Sequence, residues 1–196
     1  MIKRLFDLLV SSIMLILLAP ACIVIAMLIK LNSKGSVFYL QQRVGKYNID
    51  FYIFKFRTMQ MDSDKKGLLT IGGRDSRVTS IGYTLRKYKL DELPQLINVF
   101  IGNMSLVGPR PEVRKYVSYY TSEQKNVLNV KPGITDYASI AYFNENEILL
   151  KSNDPEKMYI ETIMPAKLQL NLKYIHEKNF ATDIRIIINT LIKIMK

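Results

Sequence analysis

The chain has 196 residues, enough for one domain of ordinary size, and 28 Lys+Arg against 17 Asp+Glu leave a formal charge of +11. Such a chain seeks anions: phosphate-rich ligands, nucleic acid or an acidic membrane surface. An apolar share of 48% supplies a core and excludes disorder, while a single cysteine (Cys22) excludes an internal disulfide framework and a single histidine (His176) excludes a His-cluster metal site. Any metal must therefore be held by oxygen ligands.

Residues 8–29 are apolar and uncharged. As a helix they reach about 33 Å, just enough to cross a bilayer, and no small-residue processing pattern marks them as a cleaved signal. Pro20 removes a backbone donor near the middle of this run, so a kink is expected. Lys3 and Arg4 precede the run and Lys30 and Lys34 follow it, without the asymmetry that a simple crossing shows. A kinked crossing and a helix that dips in and returns both fit these residues. Asp7, one turn after Lys3, is expected to pair locally at the interface.

Two apolar-aromatic runs, Val37-Phe38-Tyr39-Leu40 and residues 51–56, flank the turn-rich Gly45-Lys46-Tyr47-Asn48 and predict a β-hairpin. Residues 61–77 are polar and glycine-bearing, which predicts a mobile loop. A short helix is expected over 79–89. Asp91-Glu92 with Pro94 reads as the first turn of a second helix that continues through Phe100 and stops at Gly102 or Asn103. Val107-Gly108-Pro109-Arg110-Pro111 must be extended. Thr121 with Gln124 forms a capping box for a helix running towards Val130. In the last helix, over 183–195, Ile184, Ile187, Ile188, Leu191, Ile192 and Met195 share one face opposite Arg185, Asn189, Lys193 and Lys196. That pattern suits either a core-packed helix or one lying in the headgroup plane.

The most suggestive acidic feature is Asp91-Glu92. Carboxylates at a helix start are kept ionised by the macrodipole, and an ionised carboxylate can attack phosphorus or bind a hard divalent cation. The surroundings are cationic: Lys55, Arg57, Arg74, Arg77, Arg86, Lys87 and Lys89, with Arg110 fixed between Pro109 and Pro111. Guanidinium groups suit bidentate phosphate binding. No phosphate-cradling glycine motif and no nucleic-acid-binding module is present. Asn103-Met104-Ser105 is a formal glycosylation sequon, without meaning on a cytosolic face.

Taken in order, K-R-x-x-D before a Pro-broken apolar run, Lys55-Phe56-Arg57-Thr58-Met59, Leu85-Arg86, Leu90-Asp91-Glu92-Leu93-Pro94-Gln95-Leu96, residues 104–112 and Pro132-Gly133-Ile134-Thr135 resemble the bacterial sugar transferase family, the small monotopic polyprenyl-phosphate phosphoglycosyl transferases. The resemblance runs nearly the whole chain. It implies an α+β fold: residues 1–34 as a re-entrant membrane helix broken at Pro20, and residues 35–196 as a mainly helical cytosolic catalytic domain with a small β-hairpin and a C-terminal amphipathic helix. It implies transfer of a sugar-1-phosphate from a UDP-sugar to polyprenyl (undecaprenyl) phosphate, with release of UMP. This would be the first membrane step of surface-glycan assembly, at the cytosolic face of the bacterial cytoplasmic membrane. Asp91 would be the nucleophile, with Glu92 beside it, and the pair would receive Mg²⁺. Lys55, Arg57, Arg86 and Arg110 match positions lining the anionic site. The chain departs from the family pattern at Ala19, where serine usually precedes the proline, and at Asp136-Tyr137-Ala138-Ser139, where the pattern has glycine, a variable residue, alanine and glutamine. An arginine usual shortly afterwards is also missing. These changes bear on the helix break and on sugar recognition rather than on phosphoryl chemistry. The alternative reading is a non-catalytic membrane adaptor that binds anionic lipids and gives the Asp-Glu pair no role.

Overall fold

A computed structural model of the chain describes residues 2–63, 69–70, 72 and 75–195. Arg74 and most of the glycine-bearing part of the expected loop lie outside the described residues. The chain is mainly helical, with a small antiparallel hairpin and one long apolar helix at its N-terminus.

Helix α1 (Ile2–Asn32) runs through Pro20 without a break. Most of its surface is exposed, but one face packs against the rest of the chain along both halves. Phe6, Val10, Leu15 and Leu18 join one core cluster, and Cys22, Ile25 and Ile29 join another. Asp7 corrects the expectation of a local surface pair. It is only 3% exposed, and its Oδ1 accepts the backbone N–H of Leu106 at 3.1 Å. A buried carboxylate needs a donor, and here a backbone N–H distant in sequence supplies it rather than a side chain of its own helix. Lys3 instead pairs with Asp183, and Arg4 donates to the carbonyls of Val99 (2.6 Å) and Phe100 (2.8 Å).

The expected hairpin is formed by β1 (Phe38–Val44) and β2 (Asp50–Phe56), paired from Phe38↔Phe56 to Val44↔Asp50. Tyr47 and Asn48 make the turn with φ of 59° and 63°. Helix α2 (Ser80–Lys87) is capped by Thr79, whose Oγ1 accepts from Gly82 N at 3.0 Å.

The next segment differs from the expected single helix. Leu90–Glu92 is a separate 3-10 turn, and α3 (Gln95–Ile101) starts after it with Pro94 at the N-cap. The cause is Pro94, which has no N–H to bond back to Leu90, so the turn closes in the tighter pattern with Leu93 N on Leu90 O at 3.3 Å, while Lys89, at φ 55°, turns the chain before the acids. Gly102, at φ 94°, ends α3 as expected, its N–H reaching the carbonyls of Asn98 and Val99.

Strands β3 (Ser105–Val107) and β4 (Gly133–Thr135) form a short parallel pair that the sequence does not announce. Gly108 and Gly133 cross here so closely that a Cβ on Gly133 would overlap the backbone nitrogen of Gly108. The extended passage after β3 leads to α4 (Arg114–Val117). Thr121 and Gln124 close the capping box reciprocally, at 2.9 and 3.2 Å, ahead of a 3-10 helix over Gln124–Asn129. Then come α5 (Tyr137–Ala141), α6 (Glu145–Leu150) and α7 (Pro155–Met158), followed by a π-turn, α8 (Met164–Glu177) and α9 (Phe180–Met195). In α9, Asp183 and Ile186 are buried, Ile187 is half-buried against the core, and Ile188, Leu191, Ile192 and Met195 remain exposed.

Candidate active site

The hairpin, the 3-10 turn and the passage after β3 bring four of the residues singled out by sequence to one place. Lys55 projects from β2, Asp91 and Glu92 from the turn, and Arg110 from between its two prolines, all lining one cavity of about 1170 Å³. Arg110 Nη1 donates to Glu92 Oε2 at 3.1 Å while Nη2 reaches Oε1, a two-pronged contact of the kind guanidinium groups make with carboxylates. Lys55 Nζ lies 3.4 Å from the same Oε1. The backbone N–H of Arg110 is held at 3.0 Å by Asp136 Oδ2, which fixes the loop as well as the side chain.

Asp91 is only 9% exposed, and its carboxylate makes no hydrogen bond among the described residues. Burial, and then the charge of Glu92, push its pKa up to about 6 against the pull of Lys55, Arg86 and Lys89. The group is still mainly ionised at neutral pH, but no helix dipole keeps it so: α3 begins only at Gln95, and loss of hydration dominates the shift. Glu92 behaves oppositely. Burial opposes its ionisation, but Arg110, Lys55 and Lys89 outweigh that and hold it well below the usual carboxylate range. Burial lowers the Lys55 ammonium to about 8, with Glu92 resisting.

The remaining cations are placed differently. Arg86 lines the cavity and donates to Thr70 Oγ1 at 2.8 Å. Arg57 also lines it, but its guanidinium donates to the carbonyls of Ser33 (2.9 Å) and Lys34, which ties the end of α1 to β2. Arg77 is forked onto Asp75. Pro20 lies within α1 away from this cluster. Sequence reasoning counted Lys89 only among the surrounding cations, met Asp136 only as a departure from the family pattern, and gave Glu112 no role of its own. Lys89 carried a signal in its place before two acids, whereas the cap made by Asp136 becomes visible only once α5 is built.

The cavity has an apolar end. Val10, Met14 and Leu18 of α1 and Ile187, Leu191 and Ile194 of α9 line it. Charged groups and hydrocarbon side chains thus line one and the same cavity.

A model of the bacterial sugar transferase family matches residues 1–196, and the chain belongs to that family. Among its relatives, a UDP-N-acetylgalactosamine-undecaprenyl-phosphate N-acetylgalactosaminephosphotransferase of Aeromonas hydrophila is 44% identical over 144 residues, 72% of this chain and 34% of the relative. A UDP-glucose:undecaprenyl-phosphate glucose-1-phosphate transferase of Xanthomonas campestris pv. campestris is 36% identical over 197 residues, 98% of this chain and 38% of the relative. The uncharacterized sugar transferase EpsL of Bacillus subtilis (strain 168) is 34% identical over 194 residues, 99% and 87% of the two chains. The chain thus spans about a third of the length of the first two relatives and most of the third.

Proposed function

We propose that the chain transfers a sugar-1-phosphate from a UDP-sugar to polyprenyl phosphate at a membrane surface, the reaction named for its undecaprenyl-phosphate relatives. The observation that carries this reading is the buried carboxylate of Asp91, free of hydrogen bonds among the described residues, in a cationic cavity that reaches apolar walls on α1 and α9. A carboxylate with a full set of donors would be a poor nucleophile. One that has lost most of its hydration and is left unpaired is activated, and Glu92 is the member of the pair clamped by Arg110 and Lys55.

In the first step an Asp91 oxygen bonds to the sugar-bearing phosphorus, the bridging P–O bond of the diphosphate breaks, and UMP leaves with that electron pair. In the second, an oxygen of polyprenyl phosphate attacks the same phosphorus, the acyl-phosphate P–O bond breaks, and the carboxylate is restored. Lys55, Arg86 and Arg110 neutralise the phosphates and hold them in line. Arg57 keeps the cavity wall attached to α1.

Magnesium suits the residues present in a limited way. Among the described residues no three His, Cys, Asp or Glu side chains gather as a metal cage. Magnesium commonly keeps waters and takes one or two carboxylates with substrate phosphates, however, and Asp91 has oxygens to offer. Glu92 could join it only by loosening Arg110 or Lys55. When bound, the ion supplies charge neutralisation on the diphosphate.

The same geometry supports a helix that enters and leaves one membrane face. Lys3 and Arg4 at one end of α1, and Asn32, Ser33 and Lys34 at the other, all bond to the body that carries Asp91. A straight crossing would carry one of those ends to the far side. The exposed isoleucines of α9 suit the headgroup plane, and the site faces the cytosol, where UDP-sugars are made. The test is UMP release from a UDP-sugar that depends on polyprenyl phosphate, with mass spectrometry of the stalled enzyme. A hexose-phosphate adduct on Asp91 is expected. Turnover by Asp91→Asn at the wild-type rate would overturn the assignment.

A further inference from the structure

The cavity that holds Asp91 is also walled by residues of β1, α5 and α8, and the chemistry of that arm is different. Its charges are already matched. Arg43 donates to Glu112 Oε1 at 2.8 Å, Tyr159 donates to the other oxygen of Glu112, and Lys167 donates to Glu145 Oε2 at 2.6 Å. A phosphate gains little here, because each cation has a carboxylate of its own, whereas around Asp91 the cations outnumber the acids.

Apart from the buried Arg43 Nε, what the arm leaves unmatched is neutral. Asn171, on α8, is 4% exposed, its Oδ1 is buried without a partner, and its amide nitrogen donates no hydrogen bond among the described residues. Ser139 Oγ, on α5, is likewise buried and unpartnered, and the Tyr120 hydroxyl makes no hydrogen bond among the described residues. All three residues line the cavity. Buried polar atoms are almost always satisfied, so unsatisfied ones walling a cavity mark where a ligand supplies the partner. Hydroxyl groups both donate and accept, which is what this mixed set requires.

Resting on the phosphotransfer reading above, we propose that this arm holds the glycosyl group of the donor, with Asn171 and Ser139 reading its hydroxyl or acylamino substituents. The position follows from Asp136. One of its oxygens accepts the Arg110 N–H at 3.0 Å and the other accepts the Ser139 N–H at 2.6 Å, so the phosphate-binding loop and Ser139 hang on one carboxylate. The group attached directly to the phosphorus that Arg110 neutralises therefore lies beside Ser139, while the nucleoside, one phosphate further away, does not.

The full chain in detergent micelles, with polyprenyl phosphate as acceptor, is assayed for UMP release from UDP-glucose, UDP-N-acetylglucosamine and UDP-N-acetylgalactosamine, with UDP as a competing ligand that has no sugar. Asn171→Leu is expected to raise KM for the preferred donor at least about tenfold with a smaller change in kcat. It should also shift the preference among the three donors, and leave inhibition by UDP within about twofold of wild type. Ser139→Ala removes one oxygen without disturbing the helix and gives the same pattern more weakly, which keeps the test open if Asn171→Leu fails to fold. A parallel loss of UDP inhibition would assign the arm to the nucleoside and overturn the proposal. So would an unchanged donor preference in both variants. Wild-type protein that released UMP from none of the donors would overturn the phosphotransfer reading and this inference with it.

Discussion

At Asp91 the carboxylate loses most of its hydration without gaining a hydrogen-bond donor among the described residues, and its pKa rises to about 6 from 3.8. Because the folded value exceeds the unfolded one, the ionised group costs the fold stability above about pH 6, and that cost fades as pH falls towards 4. Asp91→Asn should therefore abolish turnover, by roughly a thousandfold or more, while stabilising the metal-free protein by about 1–3 kcal/mol near pH 7.5. In thermal unfolding that is a Tm gain of several degrees which vanishes near pH 4. An equal fall in Tm at both pH values would mean that the carboxylate has a structural partner. Arg110 makes the complementary case. Arg110→Ala leaves Glu92 buried with only lysines nearby, so turnover should drop about a hundredfold and Tm should fall as well. Arg110→Lys restores the charge without the fork, so it should recover more of the Tm than of the rate; full activity in that variant would show that the two-pronged contact is dispensable. The identities of these residues were legible in the sequence, down to the prolines around Arg110. The contrast between Asp91 and Glu92 was not, because it depends on which of two adjacent carboxylates Arg110 and Lys55 reach, and neither cation is a chain neighbour of the pair.

At the level of elements, local rules succeeded where the chemistry was local. Thr79 caps α2, Thr121 and Gln124 close a box, Gly102 ends α3, and the hairpin forms around a turn of left-handed residues. The short segments were hidden for two different reasons. A proline suits a first helical turn as well as a break, so the 3-10 turn at Leu90–Glu92 reads as the front of α3. Strands β3 and β4 have three residues each and belong to distant parts of the chain, too short for a period-two pattern. Their pairing nevertheless sets the site, because β3 leads directly to Arg110 and β4 to the Asp136 cap. The crossing of Gly108 and Gly133 is where that arrangement is most exposed to mutation. Gly133→Ala would drive a methyl into the Gly108 backbone, and no flexible side chain is there to give way. A loss of about 3 kcal/mol or more is expected, seen as a Tm lower by roughly 6–12 °C or as failure to fold. A Tm within a degree of wild type would mean that the two strands are not held as described.

Across the whole molecule, the long apolar helix is bound to the catalytic body at both ends, and this bears on how the chain meets a bilayer. Asp7 reaches Leu106, 99 positions along the chain, and Lys3 reaches α9, so the charged start of α1 serves the interior of the domain. Hydropathy alone left a crossing and a return equally open, because length and apolarity are the same for both. What the sequence could not show is that both ends of the helix contact residues far away along the chain. A single cysteine makes the distinction measurable. With Cys22 replaced by alanine, Ile2→Cys and Lys34→Cys each carry one thiol at an exposed end of the helix. In sealed inside-out vesicles both should react with a membrane-impermeant maleimide, and in intact cells neither should. Labelling of one end from each side would establish a crossing and refute the return. Removing the tethers sharpens the test. Lys3→Ala with Arg4→Ala deletes the ion pair to Asp183 and the two bonds to the carbonyls that end α3, together with two positive charges that resist translocation. In that double variant a fraction of the protein should expose residue 2 on the outer face, with phosphotransfer falling in the same proportion, because helices α1 and α9 no longer line one cavity. Phosphotransfer that persisted in fully inverted protein would separate the membrane helix from the site.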